Sequence, residues 1–140
     1  MIESFKPITI FLKRIYVVKS ETIFNLFKRG KIFELTGAND IKNDFEIGGA
    51  FSLTFNNRGI IYGQFQKITA QEIILEWNVE GFERPKETKT IVEISWRQDH
   101  EKCILKLDHK NIVEADSANA KRRAWKEILE DVEREMNIVE

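Results

Sequence analysis

Apolar and polar residues alternate with a period of two through the middle of this chain and a period between three and four at its end. Near the C-terminus, Ala118, Trp125, Ile128, Leu129, Val132 and Met136 keep the spacing of a helix with one buried stripe. That pattern predicts a long helix over 117–137. Near the start, Thr9 to Val18 is rich in β-branched and aromatic residues and predicts a first strand. Ser20 follows as a candidate N-cap, with Ile23, Phe24 and Phe27 as a short apolar face, and Gly30 ends that helix. Lys31 to Leu35 predicts a second short helical turn before Gly37.

From Asp44 the period becomes two. Asp44 to Ile47 predicts a short strand broken by Gly48-Gly49, after which Phe51, Leu53 and Phe55 alternate with polar neighbours. Asn56-Asn57-Arg58-Gly59 reads as a hairpin turn. Ile61, Gly63 and Phe65 form the next inward set, and after Thr69-Ala70-Gln71 so do Ile73, Leu75 and Trp77. Gly81 to Thr88, with Arg84-Pro85, reads as a loop. Two longer strands complete the series: Val92, Ile94 and Trp96, then, beyond a turn near 98–101, Cys103, Leu105, Leu107 and His109. Clean alternation predicts an antiparallel sheet with one face buried. The expected fold is therefore α+β: a curved sheet of six to seven strands wrapped around the C-terminal helix, with two short helices after the first strand.

Composition narrows the functional classes. The 140 residues are expected to form one domain, 1–140, long enough for a core without staples. With 22 basic and 23 acidic residues the net charge is −1, which argues against nucleic acid or an anionic membrane surface as partner. The single cysteine, Cys103, excludes an internal disulfide and fits a reducing cytoplasm. Ile8, Ile10, Phe11 and Leu12 bear a faint likeness to a signal peptide, but Lys13 and Arg14 interrupt the run. No stretch approaches the ~20 apolar residues of a membrane span. A cytoplasmic protein is expected, as monomer or homodimer.

Candidate chemistry is sparse. Cys103 and His109 lie six residues apart on one strand, about 20 Å at ~3.3 Å per residue, too far for a thiol–imidazole pair. His100, His109 and Cys103 do not have metal-ligand spacing, and Gly48-Gly49 lacks the context of a phosphate loop. No metal or cofactor is expected. His109 shares the parity of Leu105 and Leu107. It is either a satisfied structural histidine or a group that orients a ligand or moves a proton. On the last helix, Lys121, Arg122 and Arg123 precede Glu130, Asp131, Glu133 and Glu135, the reverse of what the macrodipole favours. This is either a basic lip for a carboxylate or a solvated face with pairs such as Arg123–Glu127 and Glu130–Arg134.

The ordered set of strand marks resembles the SRPBCC (START-like, helix-grip) superfamily, in its branch similar to the activator of Hsp90 ATPase homologue. The marks are Ile15-Tyr16-Val17 leading to Ile23-Phe24; Phe45-Glu46-Ile47-Gly48-Gly49-Ala50-Phe51; Gly63-Gln64-Phe65; Ile73 to Trp77; Leu107-Asp108-His109; and Ala124-Trp125. Two departures stand out. Lys31 to Leu35 has no Trp, and Ala124 stands where the family prefers Gly. The resemblance implies a cavity between sheet and helix. Its expected lining is Phe51, Leu53, Phe65, Leu75, Trp77, Trp96, Leu105, Leu107, His109 and Trp125, residues that could equally fill the core. It implies, first, non-catalytic binding of a small hydrophobic or amphipathic ligand. The alternatives are a co-chaperone-like domain acting on an Hsp90-type chaperone, or a cyclase- or lyase-type enzyme whose acid or base would be His109.

Overall fold

A computed structural model describes residues 6–138. The domain expected over 1–140 thus has its outermost residues, 1–5 and 139–140, outside the described residues. The elements are β1 (Ile8–Tyr16), α1 (Ser20–Lys28), α2 (Lys31–Glu34), β2 (Asp40–Asn43), β3 (Ala50–Phe55), β4 (Gly59–Ile68), β5 (Glu72–Gly81), β6 (Arg84–Asp99), β7 (Lys102–Ile112) and α3 (Ala115–Ile138). The seven strands form one antiparallel sheet in the order β1-β7-β6-β5-β4-β3-β2. Strands β2 to β7 are thus a simple meander, and β1 closes the far edge by pairing with β7. The α+β helix-grip arrangement expected from the sequence is the one observed.

α3 runs for about 36 Å at 1.5 Å per residue and packs over β1 and β7 on the concave face. Its apolar stripe, Ala118, Trp125, Ile128, Leu129, Val132 and Met136, is buried as its spacing predicts. Tyr16, at the end of β1, reaches across and donates its hydroxyl to the carbonyl of Leu129 at 2.9 Å, which ties strand to helix. Burial holds the Tyr16 phenol well above its ordinary range, so it stays a donor. α1 and α2 cover the other half of the concave face. Phe27 stacks on Trp96 at 5.4 Å, and Phe33 stacks on Phe51 at 5.0 Å.

Three boundaries differ from the pattern. Residues 44–47 are not a strand; the short edge strand is Asp40–Asn43, paired with β3. Ser20 is not the N-cap of α1: Lys19 occupies that position, and the Ser20 backbone N–H is satisfied at 2.7 Å by Oε1 of Gln98. A distant side chain has replaced the local cap, which no local spacing could reveal. Finally, 81–88 is not a loop. β5 and β6 continue as a hairpin arm closed at Phe82-Glu83, whose φ values of 59° and 56° follow Gly81 at 98°.

Register shifts shape this sheet. Trp77 faces Thr90 but Val79 faces Glu87, so β6 carries one extra residue opposite Asn78. Lys89 absorbs it with φ of 62°, and its N–H is accepted at 2.6 Å by the buried Asn78 side chain. A second bulge in β7, at Asn111 with φ of 66°, separates the Ile10–His109 and Ile8–Ile112 pairs. Bulges bend and twist strands, which is how a meander curls over a helix. Gly63 has a related role. A side chain there would meet the Glu76 carbonyl at 1.8 Å, so only glycine lets β4 cross β5 at this point.

Candidate functional site

The concave face divides into two regions. Beneath α1, α2 and the middle of α3 it is filled. An aromatic run from Phe45 through Phe65, Phe51 and Trp77 to Trp125 has successive centroids 5.3, 5.8, 5.6 and 5.2 Å apart. The gap bordered by Leu105, Leu107 and Trp125 is about 10 Å³, too small to hold a ligand. Facing the β5–β6 arm, along α3 from Asp116 to Asp131, the two layers part. A cleft of about 1000 Å³ opens between α3 and the β5–β6 arm.

Of the ten residues expected to line a cavity, Trp77 and Trp125 border this cleft. The others, Phe51, Leu53, Phe65, Leu75, Trp96, Leu105, Leu107 and His109, are buried in the packed region. Parity identified the inward face correctly but could not say where along it the layers separate. The cleft instead takes its apolar walls from Phe55, Ile61, Val79, Phe82, Val113 and Ile128. Phe55 and Ile61 had the right parity; Phe82 was hidden in the stretch read as loop. Phe82 packs edge-on to Phe55 at 5.3 Å, and Gly59 leaves it room: a Cβ there would lie 2.5 Å from its ring.

His109 sits directly behind Trp125 and is fully buried. Trp125 Nε1 donates to His109 Nδ1 at 3.1 Å, and His109 Nε2 lies 2.9 Å from Thr90 Oγ1. Indole N–H is only a donor, so Nδ1 is the acceptor and the ring proton of the neutral form must be on Nε2. Thr90 therefore accepts from Nε2 and passes its own proton to the Trp77 carbonyl. Each group in this chain has its partner, and it holds the indole of Trp125 and the backbone carbonyl of Trp77 on the cleft's inner wall. Burial, with a lesser push from Lys121, lowers the His109 pKa from 6.5 to about 3. The ring is neutral at physiological pH and has no free nitrogen to offer a substrate. Of the two sequence readings, the satisfied structural histidine is the one this geometry matches.

The bulge at Lys89 has a second consequence. Residues 87 and 90 would fall on opposite faces of a regular strand; here Glu87 and Thr90 both turn inward. Glu87 meets the first turns of α3. Its Oε1 accepts from Ser117 Oγ at 3.0 Å and from Lys121 Nζ, while Lys121 also donates to Ser117 Oγ at 2.9 Å. The Glu87 and Lys121 side chains are only 15% and 12% exposed. Lys121 is thus not part of a free basic lip, because its charge is compensated across the cleft. Further along, Arg134 pairs with Asp131 at 2.6 Å in place of the expected Glu130. Among the described residues there is no cluster of His, Cys, Asp and Glu suited to a metal.

No family model matches the chain, and no curated protein does. Solved structures do. A protein of Mesorhizobium loti is similar over 94% of this chain and 98% of its own, with a TM-score of 0.83 at 10% identity. A Plasmodium falciparum protein described as an Hsp90 activator matches over 92% and 96%, with a TM-score of 0.72 at 23% identity. The Aha1 dimer from Colwellia psychrerythraea matches over 90% and 93%, with a TM-score of 0.74 at 16% identity. Identities this low speak for the fold alone. The chain has the helix-grip, START-like fold that its strand marks resembled.

Proposed function

We propose that this helix-grip chain is a non-catalytic binding module, holding one small hydrophobic or amphipathic ligand in the cleft between the β5–β6 arm and α3. The observation that carries the reading is the division of the concave face into a filled aromatic core and an apolar-walled cleft against the β5–β6 arm, with Trp125 bordering both. A cleft of about 1000 Å³ is at the upper end of the range for small-molecule sites. A rigid inner wall favours recognition over chemistry, since the hydrogen bonds that fix the Trp125 indole and the Trp77 backbone also occupy His109. The one acid or base the sequence offered for a cyclase- or lyase-type reaction, His109, has both ring nitrogens engaged, and Glu87 and Lys121 in the cleft are paired with each other. Purified protein screened against hydrophobic dyes and lipids should gain thermal stability, with a change in Trp77 and Trp125 fluorescence. A screen without either response would remove the reading.

The second reading is a co-chaperone-like domain acting on an Hsp90-type ATPase. Its support is the likeness to the Plasmodium Hsp90 activator over nearly the whole of both chains. A pull-down with the host's Hsp90 homologue that recovers nothing would count against it. We read residues 1–140 as one domain of this kind, working in a reducing cytoplasm as monomer or homodimer. No described helix is long and apolar enough to cross a membrane.

A further inference from the structure

We propose that the cleft selects ligands with an uncharged head that both donates and accepts hydrogen bonds, an alcohol or a phenol, seated on the Glu87–Ser117–Lys121 cluster. The inference rests on the cleft being a ligand site and goes beyond it by naming the chemistry of the ligand's polar end.

Hydrogen-bond accounting at the cluster carries the argument. Lys121 has three donors, and two are used, on Glu87 and on Ser117. Glu87 Oε1 takes the ammonium and the serine hydroxyl, whereas Oε2 has only a 3.2 Å contact with Ser117. One ammonium donor and the lightly used Oε2 therefore remain on two paired groups that line the cleft and are almost withdrawn from solvent. A hydroxyl is the smallest group that satisfies both.

Charge excludes the obvious rivals. The pair is neutral as a unit, so a carboxylate head would meet Glu87 and an ammonium head would meet Lys121. The rest of the lining has no net sign either: Arg58, Arg84, Lys86 and Arg123 are matched by Glu114, Asp116, Glu127 and Asp131. His109 adds nothing, because its chain with Trp125 and Thr90 is closed. A ligand that placed a full charge here would be desolvated without compensation, which is costly. An uncharged donor–acceptor head on an apolar body is not.

Three probes of one shape test this: biphenyl-4-ol, 4-methoxybiphenyl, which can accept but not donate, and biphenyl-4-carboxylate. Titration calorimetry gives their affinities, and the indole N–H resonances of Trp77 and Trp125 report where they sit. The alcohol should bind wild-type protein about tenfold more tightly than either analogue, the worth of one well-made hydrogen bond. Glu87→Gln keeps the shape of the cluster but leaves Lys121 uncompensated, so the carboxylate should gain about tenfold. Lys121→Met should bring alcohol and ether to within about twofold of each other. Equal affinities for all three probes in wild type, or a carboxylate affinity unmoved by Glu87→Gln, would overturn the proposal while leaving the cleft a ligand site. If no probe binds and neither indole shifts, the ligand-site reading falls with it.

Discussion

The neutral, buried His109 makes acid stability the most direct test of how the inner wall is built. In the folded chain its pKa lies at about 3, against 6.5 in the unfolded chain, because burial disfavours the imidazolium and Lys121 adds repulsion. As pH falls through 6.5 the unfolded chain takes up a proton that the folded chain refuses, so stability is lost on acidification until about pH 3 and is unaffected above neutrality. With those two values the loss reaches about 2 kcal/mol at pH 5, and on the order of 4–5 kcal/mol once both states are protonated. The test is a difference measurement. His109→Gln can accept from Trp125 and donate to Thr90 without titrating, while His100, exposed on the β6–β7 turn, is common to both proteins. Urea unfolding at pH 7.5, 6, 5.5 and 5 should give a variant that begins less stable but loses about 2 kcal/mol less over that range. If wild type and His109→Gln have parallel profiles, the histidine is not held neutral by its surroundings and the reasoning fails.

Other outcomes follow from the same contacts. Thr90→Val should cost about 1–3 kcal/mol in urea unfolding, because it strands the His109 N–H and the Trp77 carbonyl in a dry interior. Trp125→Phe should cost at least as much and should also weaken binding of any hydrophobic dye, since the ring is both the partner of His109 and a wall of the cleft. Gly63→Ala should destabilise the fold by on the order of 3 kcal/mol, seen as a lower Tm, because its methyl group would overlap the Glu76 carbonyl. Cys103 is fully buried and its thiol pKa is raised by that burial, so iodoacetamide should label it only under unfolding conditions. Labelling of native protein at the rate of an exposed thiol would show that β7 opens far more readily than its pairing implies.

Much of this architecture was legible in one dimension. Period-two alternation is a local property, set by successive side chains leaving a strand on opposite faces, and it identified Leu53, Phe65, Trp96 and Leu107 as inward without reference to the rest of the chain. The stripe on α3 was legible for the same reason at the helical period. What the alternation could not carry was any feature made by two distant segments. The cap on α1 comes from Gln98, far along the chain, and so does not register in the spacing around Ser20. Gly81 and Arg84-Pro85 read locally as a loop although 81–88 belongs to a hairpin arm, and the bulge at Lys89 breaks the very parity by which Glu87 could be placed inward.

Most of all, a cavity is a difference between the volume enclosed by two layers and the volume of the side chains within it, and neither is written in the order of residues. Sequence alone determined that a sheet with an aromatic inner face would grip the last helix at Trp125. Only the tertiary structure decided that the face is solid on one side of that tryptophan and open on the other. The β5–β6 arm, bent by its bulges and pinned to α3 through Glu87 and Lys121, leaves a cleft whose walls include Phe82 and Ile128.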